Sequence, residues 1–252
     1  MRILFLSDGP RVPLVTGDRL RNWRLVECLA RRHHVAWWSL LEPGATAGAA
    51  PAGVEEASLA VPPGWQEPGT KLRKWLCAPF SSDPLLVLGL PLQGPGAEIA
   101  RAAAGFDVLH CAHLITWRAV PESLAPRCVV DLCDSMSLRY ELLLRNSPGV
   151  RLRDRSLLAY TLAGQAGRLR RYERSMPARA GAALVVAARD REHLRAPELH
   201  VVPNGVDTAY FRRSGPREPG RLVFFGNLRY GPNADAAARL ARETLPAVGA
   251  RG

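Results

Sequence analysis

The chain predicts an α/β fold: a doubly wound parallel sheet with helices on both faces. Three observations carry this expectation. Short apolar runs recur along the 252 residues, separated by stretches with helical spacing. The runs are continuous rather than alternating, as in strands buried on both faces. Several of the runs, the first among them, end on Asp, Gly, Pro or Asn, the residues that turn a chain. Hydrophobic residues make up 47% of the chain, enough for a core and too many for a disordered protein.

The first run, "RILFLS" (2–7), is bounded by Asp8, Gly9 and Pro10 and reads as a strand. The stretch from Asp18 to Arg31 places Leu20, Trp23, Val26 and Ala30 at helical spacing. Leu25 and Leu29 widen the stripe, and Asp18 is suited to cap its start. "HVAWWSLL" (34–41) is the next strand, with Trp37 and Trp38 expected in the core, so the opening is a βαβ unit with a right-handed crossover. Residues 42–70 are rich in Pro, Gly and Ala and read as loop, with a short strand at 57–61. Weak helical patterns broken by prolines occupy 71–105. "DVLHCAH" (107–113) and "CVVDLCDS" (128–135) are strands flanking a short helix or turn. A long helix is expected from about 152 to 176, with Leu158, Leu162, Ala166, Leu169, Tyr172 and Met176 as its seam and arginines on its other faces. "GAALVVAA" (181–188) and "LHVVPNG" (199–205) close the first domain, 1–211. The polar, proline-rich segment 212–220 is a linker. "LVFFGNLRYGPN" then starts a strand and a helix capped at Asn233. Residues 221–252 thus read as the first βα unit of a second domain, which cannot cover both faces of its strand alone.

Charge and cysteines exclude several classes. The formal charge is +11, but only Lys71 and Lys74 are lysines, and the arginines are scattered. No zinc-finger spacing, RNA-binding aromatic signature or basic block is present, so nucleic acid is not an expected partner. Such a surface suits a diphosphate substrate, or peripheral contact with anionic lipid. Cys28, Cys77, Cys111, Cys128 and Cys133 form no close pair and read as free thiols of a reducing compartment. No apolar run reaches the ~18–20 residues of a membrane span, and the four-residue apolar start is too short for a signal peptide. A cytoplasmic protein, with contact at the inner membrane as a further option, is the expectation.

In an open parallel sheet, ligands gather beyond the carboxyl ends of the strands. The residues there are Asp8, Arg11, Gly17, Asp18 and Arg19, then His113, Asp134 and Ser135, Arg189 and Asp190, Asn204 and Gly205, and finally Gly226, Asn227 and Arg229. No G-x-G-x-x-G or Walker loop is present, which removes the main support for a nicotinamide or ATP-cleaving enzyme. No nucleophile elbow G-x-S-x-G is present either. Asp131 and Asp134, three apart on a strand, point to opposite sides and do not form an acid/base pair. Asp134 and Ser135 also read as an N-cap for the helix that opens on "MSLRY".

These residues resemble a family. "VVPNGVDTAYF" (201–211) followed by "LVFFGNLRYGPNADAA" is similar to the domain junction of GT-B glycosyltransferases of family 4, most closely the bacterial sugar-transferase branch of exopolysaccharide clusters. "RILFLSDGPRVPLVTGDRLRNWRLVECLARRHHV", "VVDLCDSMSLRY" and "RLRRYERSMPARAGAALVV" resemble its opening and middle. The resemblance implies two Rossmann-like lobes, the first being the GT-B N-terminal lobe. It implies transfer of a sugar, with retention, from a nucleotide-diphosphate sugar to a glycan, lipid-linked or small-molecule acceptor, with no metal and no separate cofactor. It implies His113 as the catalytic histidine of the acceptor cleft. It implies Gly17, Gly226, Asn227 and Arg229 at the donor, and Arg11, Asp18, Arg19, Asp134, Ser135 and Asn204 toward the acceptor. Two departures stand out. Asn227 and Pro232 fall where many members carry basic residues, and the family's donor-binding E-x7-E element is not within the chain. Against the family the chain therefore reads as truncated at its C-terminus, with activity impaired. The alternative is a non-catalytic lobe that binds acceptor or membrane.

Overall fold

The computed structural model describes residues 1–61, 72, 74, 76–77, 80–88, 92–146, 164–212, 215–216, 220–228 and 231–249. The chain divides into two compact units, Met1–Asn204 and Gly205–Gly252, where the sequence suggested a boundary at 211.

The first unit is the doubly wound α/β sheet that the sequence predicts. Its strands are β1 (Arg2–Asp8), β2 (His34–Leu41), β3 (Glu55–Ala60), β4 (Val108–Ala112), β5 (Cys128–Asp131), β6 (Ala182–Val185) and β7 (His200–Val201). They form one seven-stranded sheet in the order β3-β2-β1-β4-β5-β6-β7, and every neighbouring pair is parallel. The helices are α1 (Gly17–Ala30), α2 (Gln93–Ala103), α3 (His113–Ala119), α4 (Met136–Asn146), α5 (Gln165–Ser175) and α6 (Ala188–Leu194), with a 3-10 turn at Glu122–Arg127.

The side-chain alternation of β1 builds the core on both faces. Ile3 and Phe5 join Val35, Trp37 and Val26 of α1 on one side. Leu4 and Leu6 join Ala36, Leu40, Leu109, Cys111 and Leu114 on the other. Both faces of β1 and β2 are covered, so their sequences carry no polar alternation.

Several boundaries differ from the sequence reading. α1 begins at Gly17 behind Thr16, so Asp18 lies in the first turn rather than at the cap, where its carboxylate meets the positive end of the helix dipole. Leu20 of the expected stripe is exposed, while Arg21 and Asn22 are buried with Val26. The helix expected from 152 starts, among the described residues, at Gln165; Gly164 before it adopts a left-handed φ of 62°. Leu169 and Met176 of its seam are buried, whereas 152–163, with Leu158 and Leu162, lie outside the described residues.

The second unit contains α7 (Gly231–Arg239), a π-helical turn at Leu240–Thr244 and α8 (Leu245–Gly249). The strand expected at 222–225 does not form. A strand exists only against a partner that satisfies its N–H and C=O groups, and the unit offers none to this segment. Val223 and Phe225 are accordingly 82% and 97% exposed. α7 begins two residues before Asn233, so Asn233 is not its cap; its Nδ2 donates instead to the Asn227 carbonyl at 3.1 Å.

Candidate functional site

Between β1 and β4 the strand order reverses: β2 and β3 extend one way, β5 to β7 the other. The loops leaving the two strands diverge there and open a crevice at their carboxyl ends. Asp8 is the last residue of β1 and His113 directly follows β4, so adjacent strands deliver both to this point. Burial pushes the Asp8 carboxyl above the ordinary range, opposed by the positive influence of His113. Asp18 and Arg19 from the start of α1 act on the same carboxyl, the first raising it and the second lowering it. Four of the residues singled out by position alone therefore share one electrostatic neighbourhood.

His113 bears two further marks of a site. Its φ is 78°, a left-handed conformation that is usually glycine's preserve. Such a backbone costs on the order of 1–3 kcal/mol and persists only where the surroundings enforce it. Its Nδ1 is buried with no hydrogen-bond partner among the described residues. A buried imidazole nitrogen without a partner is unusual in a folded protein.

Behind these residues lies a buried ionic clamp that the sequence reading did not foresee. Arg21 on α1 donates from Nε to Asp131 Oδ2 at 2.8 Å and from one terminal nitrogen to Asn204 Oδ1 at 2.8 Å. Asp131, at the end of β5, also accepts from the Cys133 N–H at 2.9 Å. Arg21 and Asp131 are 7% and 2% exposed. The clamp ties the start of α1, the exit of β5 and the segment after β7 into one frame. The second terminal nitrogen of Arg21 is buried without a partner among the described residues, as is Nε2 of the neighbouring His110 on β4. His110 stacks on Phe5 at 4.4 Å, and burial pushes it down to about 4, so its ring is neutral. The signal was present in the sequence: a carboxylate inside the apolar run "VVDLC" needs a buried cation. Arg21 lies about 140° round the helix from Val26, five residues on, so the apolar stripe did not point to it.

A second polar network organises the exit of β5. Ser135 is the cap of α4, its Oγ accepting from the Leu138 N–H at 3.2 Å. The fully buried Glu173 of α5 receives the Met136 N–H at 2.6 Å and the hydroxyls of Ser135 and Ser137 at 3.1 Å and 2.5 Å. Burial pushes this carboxyl up to about 7 although these hydrogen bonds favour its ionised form. His193 of α6 lies 3.1 Å from Ser137 Oγ, held below its ordinary value by burial and then by Arg170. Asp190 accepts the Ser135 N–H at 3.1 Å. The hydroxyl of Ser135 is thus engaged inside the protein, while Asp134 beside it is exposed.

The remaining candidates are spread. Arg11 is buried and donates to the carbonyls of Gly48, Trp37 and Ala57 at 2.6, 3.1 and 2.7 Å. It also pairs with Glu56 at 3.2 Å and lies over the Trp37 ring, so its guanidinium ties the loop after β1 to the β2–β3 edge. Gly17 is exposed with open space beside its Cα. Asn204, exposed, accepts from Arg21. Arg189 is an exposed residue of α6, and Gly205 begins the second unit. Gly226 and Asn227 belong to that unit too; a Cβ on Gly226 would lie 2.9 Å from the Asn233 side chain. Arg229 lies outside the described residues. Among the described residues, no three His, Cys, Asp or Glu side chains gather as metal ligands would. No helix of the described residues is long and apolar enough to cross a membrane.

The fold and crevice place the chain among Rossmann-like α/β proteins. Among solved structures, it matches sucrose-phosphate synthase from Thermosynechococcus elongatus with a TM-score of 0.54 at 15% sequence identity. The match covers 83% of this chain and 49% of that one, so the chain spans about half the length of that protein. At this identity the likeness shows the fold alone. No family model and no curated protein matches the chain.

Proposed function

We propose that this chain belongs to a glycosyltransferase and supplies its acceptor-side lobe. Residues 1–211 form that lobe, 212–220 the linker, and 221–252 the beginning of a nucleotide-sugar-binding lobe. The observation that carries the reading is His113: a strained backbone, an unpartnered ring nitrogen and the Asp8 carboxyl, all at the switch point of the sheet.

The reaction is transfer from a nucleotide-diphosphate sugar to a hydroxyl of a glycan, a lipid-linked sugar or a small molecule, with retention and without a metal. The anomeric carbon breaks its bond to the diphosphate oxygen and forms one to the acceptor oxygen. The acceptor proton leaves with the departing diphosphate. Negative charge grows on that diphosphate, so it needs N–H groups and guanidiniums about it. Gly17 at the start of α1 admits backbone N–H groups to the phosphate; Gly226, Asn227 and Arg229 serve the donor from the second lobe. His113, with Asp18, Arg19, Asp134 and Asn204, meets the acceptor. Arg11 and Ser135, whose polar groups are taken up by the fold, position their loops. The protein acts in the cytoplasm in exopolysaccharide-type assembly of the family-4 kind, with peripheral contact at the inner membrane as a further option.

The test is release of nucleoside diphosphate from UDP- and GDP-linked sugars by the full-length gene product, with the anomer of the product read by NMR. Donor turnover with a retained anomer supports the reading. Absence of nucleotide-sugar binding to that product defeats it.

A further inference from the structure

A cavity of about 540 Å³ lies among α2, the end of α3, the 3-10 turn and α5. It is built from different residues than the carboxyl-end crevice, although α3 joins the two: His113 opens that helix and Trp117 and Arg118 lie at its other end. The volume falls within the ~300–1,000 Å³ of small-molecule sites. Its floor is apolar, with Leu92, Ala119 and Ala125 among the buried lining residues.

The polar groups at this cavity are specific. Tyr172 lines the cavity, and burial pushes its phenol up to about 12, so it stays neutral. It sits within the electrostatic reach of Arg118, Asp83, Arg179 and Glu122. These four form two ion pairs: Arg118 with Asp83 at 3.5 Å, and Arg179 with Glu122. Arg179 is held further by the Trp117 ring, 5.5 Å from its centroid. Glu122 is held below the ordinary carboxylate range by its hydrogen bond from Arg179.

The chemistry selects a ligand class. Each guanidinium of the lining is matched by a carboxylate, Arg179 by Glu122 in the lining and Arg118 by Asp83 outside it, so neither is left as an unpaired charge to attract a phosphate or a fatty acid headgroup. Guanidinium donors, a carboxylate acceptor and a phenol that does both surround a small apolar floor. A ligand that carries donors and acceptors on every side, with no charge, is a polyhydroxylated ring. We propose that this cavity binds a neutral saccharide, separately from the transfer crevice. The inference deepens the transfer reading and rests on it for the saccharide's role, as a distal sugar of an acceptor; the binding itself does not depend on it.

The experiment is calorimetric titration of the intact protein with maltose and cellobiose, and with inorganic phosphate and octanoate as the anionic alternatives. Saturable binding of at least one disaccharide is expected, with no competition from phosphate. Tyr172→Phe removes only the hydroxyl and keeps the ring, so it weakens binding roughly fivefold, as loss of one hydrogen bond does, with Tm near that of the wild type. Ala100→Trp fills the cavity from an exposed lining position and abolishes binding without disturbing the core. No disaccharide binding, binding indifferent to both substitutions, or saturation only by phosphate or octanoate would overturn the proposal. Nucleotide-sugar turnover measured on the same preparation separates the two readings: turnover without disaccharide binding removes this site alone.

Discussion

Replacing Arg21 with Met isolates the clamp behind the crevice. Methionine keeps the length and helix propensity of arginine and removes its charge. Asp131, 2% exposed, would lose its cation and keep only the Cys133 N–H. Breaking a buried pair from one side costs about 3–5 kcal/mol, because the remaining charge is stranded. The surviving N–H bond places the loss near the lower end, about 3 kcal/mol. The Asn204 contact adds little, since Asn204 is exposed and water replaces the lost donor. For a unit of this size that corresponds to a fall in Tm of roughly 6–12 °C. The double variant Arg21→Met with Asp131→Asn should recover most of it, because the stranded charge is gone and the unpartnered Arg21 nitrogen goes with it. Urea unfolding of the three variants gives the coupling energy. A single-variant loss under about 1 kcal/mol, or a double variant at the sum of the two singles, would refute the reasoning.

Three further outcomes follow from the same structure. Glu173 ionises near 7 when folded against an ordinary value of 4.5, so the unfolded chain releases this proton first and stability falls as pH rises from about 5 to 7. The difference between wild type and Glu173→Gln should shrink by up to ~1.4 kcal/mol per pH unit across that window in urea titrations, and a difference growing with pH would contradict it. A Cβ at Gly181 would lie 2.5 Å from the Pro126 carbonyl, so Gly181→Ala should cost about 1–3 kcal/mol, while Gly17→Ala, facing open space, should leave thermal stability intact and weaken only nucleotide-sugar affinity. Equal Tm losses for the two alanines would show that the space beside each glycine is not what matters. The exposed Val223 and Phe225 should drive self-association, and light scattering should show smaller species for a Val223→Ser, Phe225→Ser double variant; a wild type that stays monodisperse argues the reverse.

The sheet was legible because its strands are buried on both faces. "RILFLS", "HVAWWSLL" and "CVVDLC" can be little else, and their positions told which residues follow the carboxyl ends. Asp8 and His113 were found in this way. What was not legible is what depends on contacts distant in sequence. Arg21 reaches Asp131 across 110 positions, and Glu173 reaches the start of α4 across 37. Helical spacing sees Arg21 as a polar interruption of a stripe, and sees Glu173 as one more charge in "RRYERS". The reverse holds at 222–225, where local β propensity is strong and no strand among the described residues pairs with the segment.

The most direct measurement is the rate of sugar transfer by the full-length gene product with His113→Ala, compared with wild type and with Arg32→Ala, an exposed residue at the amino end of β2, away from the crevice and the cavity. A fall of at least about a hundredfold in kcat for His113→Ala, with an unchanged Tm and near-wild-type kcat for Arg32→Ala, is the expected result. Transfer that proceeds undiminished without the His113 imidazole would contradict the placement of the acceptor at the switch point.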